Sequence, residues 1–154
     1  MTSPEERIAL LGLQLPGVAA PLASYVPTAR AGSLVYTAGQ LPIVEGELVE
    51  TGRVGSEVTP ERAAELARIC ALNAIAAVKA EVGELSRVTR IVKVVGFVAS
   101  SADFYGQPQV VNGASDLLGE VFGEAGRHAR SAVGVAVLPR NAPVEVELIA
   151  EIGQ

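Results

Sequence analysis

The chain has 154 residues, 49% of them hydrophobic and 19% charged, with a formal net charge of −5 at pH 7. That size fits one compact domain, and the apolar excess excludes an intrinsically disordered chain. The acidic balance argues against binding nucleic acid mainly by neutralising phosphates. One cysteine and one histidine leave no internal disulfide and too few soft donors for a zinc site built from this chain alone.

Aromatic residues make up 4% and Trp is absent, so the core must come from Val, Leu, Ile and Ala. The first seven residues carry Glu5 and Glu6 against Arg7, unlike the basic start of a secretory signal. The apolar runs at 91–99 and 132–138 fall short of the ~20 residues that span a bilayer. A soluble cytoplasmic protein is expected.

Residues 1–27, with prolines at 4, 16, 21 and 27, read as an irregular arm. Residues 30–41 read as a strand, because Leu34, Val35, Tyr36 and Thr37 favour extended backbone. Residues 43–55, rich in Gly and Glu, read as an exposed loop with one short strand. Thr59-Pro60-Glu61 is a helix start: a capping hydroxyl, a preset torsion and an acid at the positive end of the helix. Ala63, Leu66, Ala67, Cys70, Ala74 and Ala77 then recur at helical spacing, and Gly83 is the stop. So many alanines predict close packing against a flat partner, a sheet.

Residues 87–99 read as a strand with apolar groups on both faces, which predicts burial on both sides. A second helix is expected over 103–122, with Val110, Ala114, Leu117, Leu118 and Val121 in one stripe, Pro108 near its first turn and Gly123 after its end. Residues 130–138 and 143–152 are two strands joined by Pro139-Arg140-Asn141-Ala142, a loop of hairpin length.

In the last strand Val144, Val146, Leu148, Ala150 and Ile152 share one face, and Glu145, Glu147, Ile149 and Glu151 the other. With Leu138 opposite Pro143, Ala136 faces Glu145, Gly134 faces Glu147 and Arg130 comes near Glu151. Val133, Val135 and Val137 then join the face the helices cover. Arg130, Ala132, Gly134 and Ala136 lie beside the carboxylates on an open face. A sheet with two helices on one side leaves that face to be covered by symmetric oligomerisation, with clefts between subunits.

Arg130 offers a planar, permanently charged fork for a carboxylate; the competing reading is an ion pair with Glu147 or Glu151. Glu145, in a partly dry cleft, could orient or deprotonate a water; the competing reading is a solvated glutamate. His128 has no recognisable Ser-His-Asp spacing, Ser131 lacks a nucleophile elbow, and Cys70 among alanines reads as an inert buried thiol. No phosphate loop follows Gly52 and Gly55.

The stretch Tyr36-Thr37-Ala38-Gly39-Gln40-Leu41-Pro42 resembles a "hydroxyl-x-Gly-Gln-hydrophobe-Pro" turn. His128-Ala129-Arg130-Ser131, then Leu138-Pro139, then Val144-Glu145-Val146-Glu147 resembles an "Ala-Arg-Ser … Leu-Pro … Val/Ile-Glu-Val/Ile-Glu" signature. Together, from about Tyr25 to Ala150, they resemble the YjgF/RidA family, also called Rid or L-PSP endoribonuclease-like. Residues 1–24 are left as an N-terminal arm of a single domain. The resemblance implies a chorismate-mutase-like α+β fold, with a mixed sheet and two helices on one face, and a homotrimer with sites between subunits. It implies hydrolysis of reactive enamines and imines to 2-oxo acids and ammonia without cofactor or metal. Arg130 would clamp a substrate carboxylate, Gly39 and Ala132 would help through backbone groups, and Glu145 would position the attacking water. Tyr25 and Asn112 match positions near the pocket. Ala132 stands where many members carry cysteine, and Gly126-Arg127-His128 replaces the usual proline or aromatic approach. A non-catalytic binder of small carboxylates and an endoribonuclease are the alternative functions.

Overall fold

A computed structural model describes residues 2–18 and 24–153. The arm is not wholly irregular. Ser3 caps a short helix, α1 (Pro4–Leu10), by accepting from the Glu6 N–H, with Pro4 preset at its first turn. Ile8 of α1 is buried in the core, so this segment packs rather than trails.

The segment 30–41 is a hairpin and not one strand. β1 (Thr28–Ala31) and β2 (Leu34–Thr37) pair antiparallel, turning at Gly32, whose φ of 59° suits glycine. The Gly- and Glu-rich loop holds two short strands, β3 (Ile43–Val44) and β4 (Glu47–Leu48), paired with each other.

Helix α2 (Pro60–Val82) begins and ends where its residues predict. Thr59 Oγ1 accepts from the Arg62 N–H, and Gly83 closes the helix with φ 90°. Its inner face buries Leu66, Ile75 and Val78 among small residues, at roughly 2 kcal/mol of burial for each large side chain. Strand β5 (Val88–Ala99) follows. Helix α3 (Gln107–Phe122) starts later than residue 103. The Phe104 N–H bonds the Ser101 carbonyl in a turn, and the helix begins only after Gly106, with Pro108 in its first turn. Strands β6 (Ala129–Val135) and β7 (Val144–Ile152) complete the chain.

The main sheet has the order β1-β2-β7-β5-β6. β5 pairs antiparallel with β7 and parallel with β6, so the sheet is mixed. Both long helices cover one face. The fold class is therefore α+β as expected, but the β6–β7 hairpin is not formed: β5 lies between the two strands. Ala136 does not face Glu145, nor Gly134 Glu147. Glu145 pairs with Phe97 and Glu147 with Val95, while Arg130 pairs with Val94 and Gly134 with Val98.

This insertion also turns β6 over. Ala132 is paired with Gly96, and a Cβ on Gly96 would run into Val111 of α3, so both residues lie beneath α3. Only small residues fit under a helix that close. Gly134 likewise sits against Gln107 and Ser100. The bulky residue Val133 turns to the open face at 44% exposure, and Val137 is 69% exposed beyond the strand; neither joins the helix-covered core. For β7 the alternation holds, with Val144, Val146, Leu148, Ala150 and Ile152 all buried. Among the described residues, no helix is long and apolar enough to cross a membrane.

Candidate functional site

The candidate residues fall into two groups on opposite sides of the sheet. Arg130 shares its face with Ala132, toward α3. Its Nη1 donates to Asn112 Oδ1 at 2.7 Å and to Ser115 Oγ at 3.3 Å. Asn112 and Ser115 are three apart on α3 and so project from one side of the helix. Arg130 forms no ion pair among the described residues, so the pairing with Glu147 or Glu151 is not made.

A guanidinium has five N–H donors. Nη1 donates to Asn112 and Ser115, and the Nε and Nη2 hydrogens donate to none of the described residues. That edge is the geometry a planar carboxylate accepts with both oxygens. Holding one edge while leaving the other open presents a half-buried cation in a set direction.

Behind Arg130 stands His128. Its Nε2 lies 2.9 Å from Ser115 Oγ and its Nδ1 lies 2.6 Å from the Gly126 carbonyl oxygen. Nothing in the residues alone singles out Ser115; its only signal is the i,i+3 spacing from Asn112. Ser131, by contrast, is exposed on β6, and Cys70 is fully buried, its thiol pushed well up first by burial and then by the charge of Glu145.

The second group lies on the open face. Glu145 alternates with the buried Val144 and Val146 and therefore points away from the helices. Its carboxylate rests against the backbone at Gly39, where a Cβ would collide with Glu145 Oε2. Glycine is needed here for close approach, not for an unusual torsion. Neither the Gly39 N–H nor its carbonyl enters a backbone hydrogen bond among the described residues. Gln40 bridges to Val146 on both its N–H and carbonyl, which holds this turn beside β7. Burial first, and the neighbouring Glu147 charge second, raise the proton affinity of Glu145 above the ordinary glutamate range. Tyr25 is 55% exposed and lies two residues before Pro27, whose carbonyl bonds the Ala38 N–H. It therefore belongs to the Gly39 end of the sheet, apart from Arg130.

One chain thus brings together Arg130 and Asn112 near Ala132, and separately Glu145 and Gly39. The expected hollow shared by Arg130 and Glu145 on one face does not exist within a single chain. A depression of about 630 Å³ lies between the arm, the β3–β4 loop and α2 and shares no lining residue with either group.

A family described as "YjgF/chorismate mutase-like, putative endoribonuclease" matches residues 5–152. The chain belongs to the YjgF family. The match begins well before Tyr25, so α1 lies within the family domain. A Trypanosoma cruzi relative, Protein TCP17, is 46% identical over 143 residues, covering 92% of this chain and 89% of its own. The crystal structure of a "putative endoribonuclease" from Shewanella oneidensis MR-1 superposes with a TM-score of 0.95 at 40% identity, covering 98% of this chain and 100% of that one. Escherichia coli TdcF with bound serine superposes with a TM-score of 0.64 at 25% identity, covering 87% and 92% of the two chains. The two solved structures share this chain's fold.

Proposed function

We propose that this YjgF-family protein is a cofactor-free hydrolase that converts reactive enamines and imines to 2-oxo acids and ammonia, working in the cytoplasm as a homotrimer. The observation that carries the reading is Arg130, tied by Asn112 and Ser115 on one edge and open for a carboxylate on the other. An imine carbon is already electrophilic, so the protein needs mainly to hold the acid and a water in line. Arg130 binds the substrate carboxylate. Glu145 holds the water and takes its proton as oxygen adds to the imine carbon. Glu145 passes that proton to the nitrogen, giving the carbinolamine. The carbinolamine hydroxyl then gives its proton to Glu145, which delivers it to nitrogen as the C–N bond breaks and the C=O forms, and ammonia leaves with the 2-oxo acid. A carboxylate of raised proton affinity suits a group that both takes and returns a proton.

Arg130 and Glu145 face opposite sides of their own sheet, so a working site joins Arg130 of one copy to Glu145 of another. The open face supports such association. Tyr36 is 41% and Val133 44% exposed there, beside the half-buried Val95, Phe97 and Ile149, an apolar strip that water covers poorly.

TdcF is described with bound serine, an amino acid carrying the carboxylate that Arg130 would hold here. That favours a second reading, a carboxylate binder without turnover. Ammonia release from freshly generated 2-aminoacrylate separates the two. The hydrolase accelerates it and loses the effect in Glu145→Gln, whereas a binder never accelerates it. The ribonuclease in the family description fits less well with a net charge of −5 and scattered basic residues.

A further inference from the structure

We propose that Ser115 and His128 are positioning residues for Arg130, setting the direction in which its guanidinium meets a carboxylate. The inference rests on the reading of Arg130 as the carboxylate clamp and assigns roles to two residues outside that reading. The Gly126 carbonyl can only accept, so His128 Nδ1, 2.6 Å away, carries the ring hydrogen. In the neutral ring Nε2 is then a lone pair. Ser115, 2.9 Å from it, donates its single hydroxyl hydrogen to Nε2. The Ser115 oxygen is left to accept, and what it accepts is Arg130 Nη1.

The chain Arg130–Ser115–His128–Gly126 therefore runs in one donor-to-acceptor sense, each group fixed by the next. Asn112 Oδ1 takes the other Nη1 hydrogen. Without the histidine acceptor the Ser115 hydroxyl is free to rotate, and its hydrogen can turn toward the cation. The tie on Nη1 then weakens, and the open Nε–Nη2 edge loses its fixed orientation. The side chains sit where this requires: Ser115 and His128 are both half-buried, and His128 is anchored by the turn that ends at Gly126, itself packed too tightly on the Leu118 carbonyl to accept a Cβ. Neither residue reaches the substrate edge, so both act through Arg130.

The test is titration of the intact protein with 2-oxobutanoate, followed by NMR of the Arg130 Nε–H signal. Assignment comes from its loss in Arg130→Ala. Ser115→Ala should weaken binding roughly 10-fold and broaden or shift the Nε–H signal, as expected for losing an ordering bond to a charged group. His128→Ala should weaken it by about 3-fold, and Ser115→Thr, which keeps the hydroxyl, should restore affinity to within about 2-fold of wild type. Thermal melts confirm that each variant is folded; should Ser115→Ala fail to fold, the His128→Ala and Ser115→Thr pair decides. Wild-type affinity in Ser115→Ala and His128→Ala, with binding lost in Arg130→Ala, would overturn the positioning roles while leaving the Arg130 site standing. Wild-type affinity in Arg130→Ala would remove the site reading itself, and the positioning roles with it.

Discussion

Arg130 and Glu145 stand on opposite faces of one sheet. Arg130 lies on the α3 side, bonded to Asn112 and Ser115, and Glu145 lies on the open side against Gly39. The separation follows from strand order, since β5 is inserted between β6 and β7. It makes the neighbouring copy a structural requirement of the proposed chemistry.

Removing the Arg130 fork should abolish carboxylate recognition. Arg130→Ala is expected to weaken 2-oxobutanoate binding by at least about 10-fold. Arg130→Lys should recover only part of the loss, because an ammonium keeps the charge without the planar pair of donors. Calorimetric titration measures both, and full affinity in the lysine variant would show that charge alone suffices.

Glu145→Gln should lower imine turnover by roughly 10²–10⁴-fold while leaving carboxylate affinity within about 2-fold, since Arg130 binds the ligand. In the wild type, turnover should fall as pH drops through a value above the ordinary glutamate range, because the carboxylate must be ionised to take a proton from water. Stability runs the opposite way. A carboxyl whose proton affinity is raised by folding stabilises the fold while protonated, and that contribution is lost as pH rises through its folded-state pKa. Glu145→Gln should therefore gain in melting temperature relative to wild type as pH rises, with little difference in acid. Melting curves across pH check the direction.

Gly39→Ala should separate activity from stability. The added methyl meets the far end of the Glu145 side chain, which can swing away, and the Gly39 backbone is not left-handed. Stability should change by less than about 1 kcal/mol, whereas turnover should fall by about 10-fold or more as the carboxylate leaves its place. Equal losses in both would mean that the turn, and not Glu145, had been disturbed.

Gly113→Ala should do the reverse. A Cβ there would collide with the Ala64 carbonyl of α2, which is backbone and cannot step aside, so the two helices must part. About 1–3 kcal/mol of destabilisation is expected, read by denaturant unfolding.

Much of this was legible from the residues. Thr59-Pro60 and Gly83 bound α2 because capping is local chemistry, and the two-faced apolar pattern of 87–99 marked a central strand. The β7 alternation identified Glu145 as facing away from the core. The β6–β7 pairing was not legible. Residues 139–142 fit a hairpin loop, and nothing local says that a strand about forty residues upstream will enter the gap. Strand faces alternate with period two, so the wrong partner also inverted β6. The clue lay in residue size: Ala132 and Gly134 fit beneath α3, and valines do not. The arm helix was missed because prolines at 4 and 16 suggest irregular chain, although Ser3-Pro4-Glu5-Glu6 is itself a helix start.

Subunit mixing tests the central claim most directly. Copies carrying Arg130→Ala are combined with copies carrying Glu145→Gln, and mixed oligomers are purified through two different tags. If a site joins Arg130 of one copy to Glu145 of the next, each purified mixed trimer should carry one restored interface, about one third of its sites, and ammonia release from 2-aminoacrylate should return in proportion. Mixed oligomers as inactive as either parent would contradict the account.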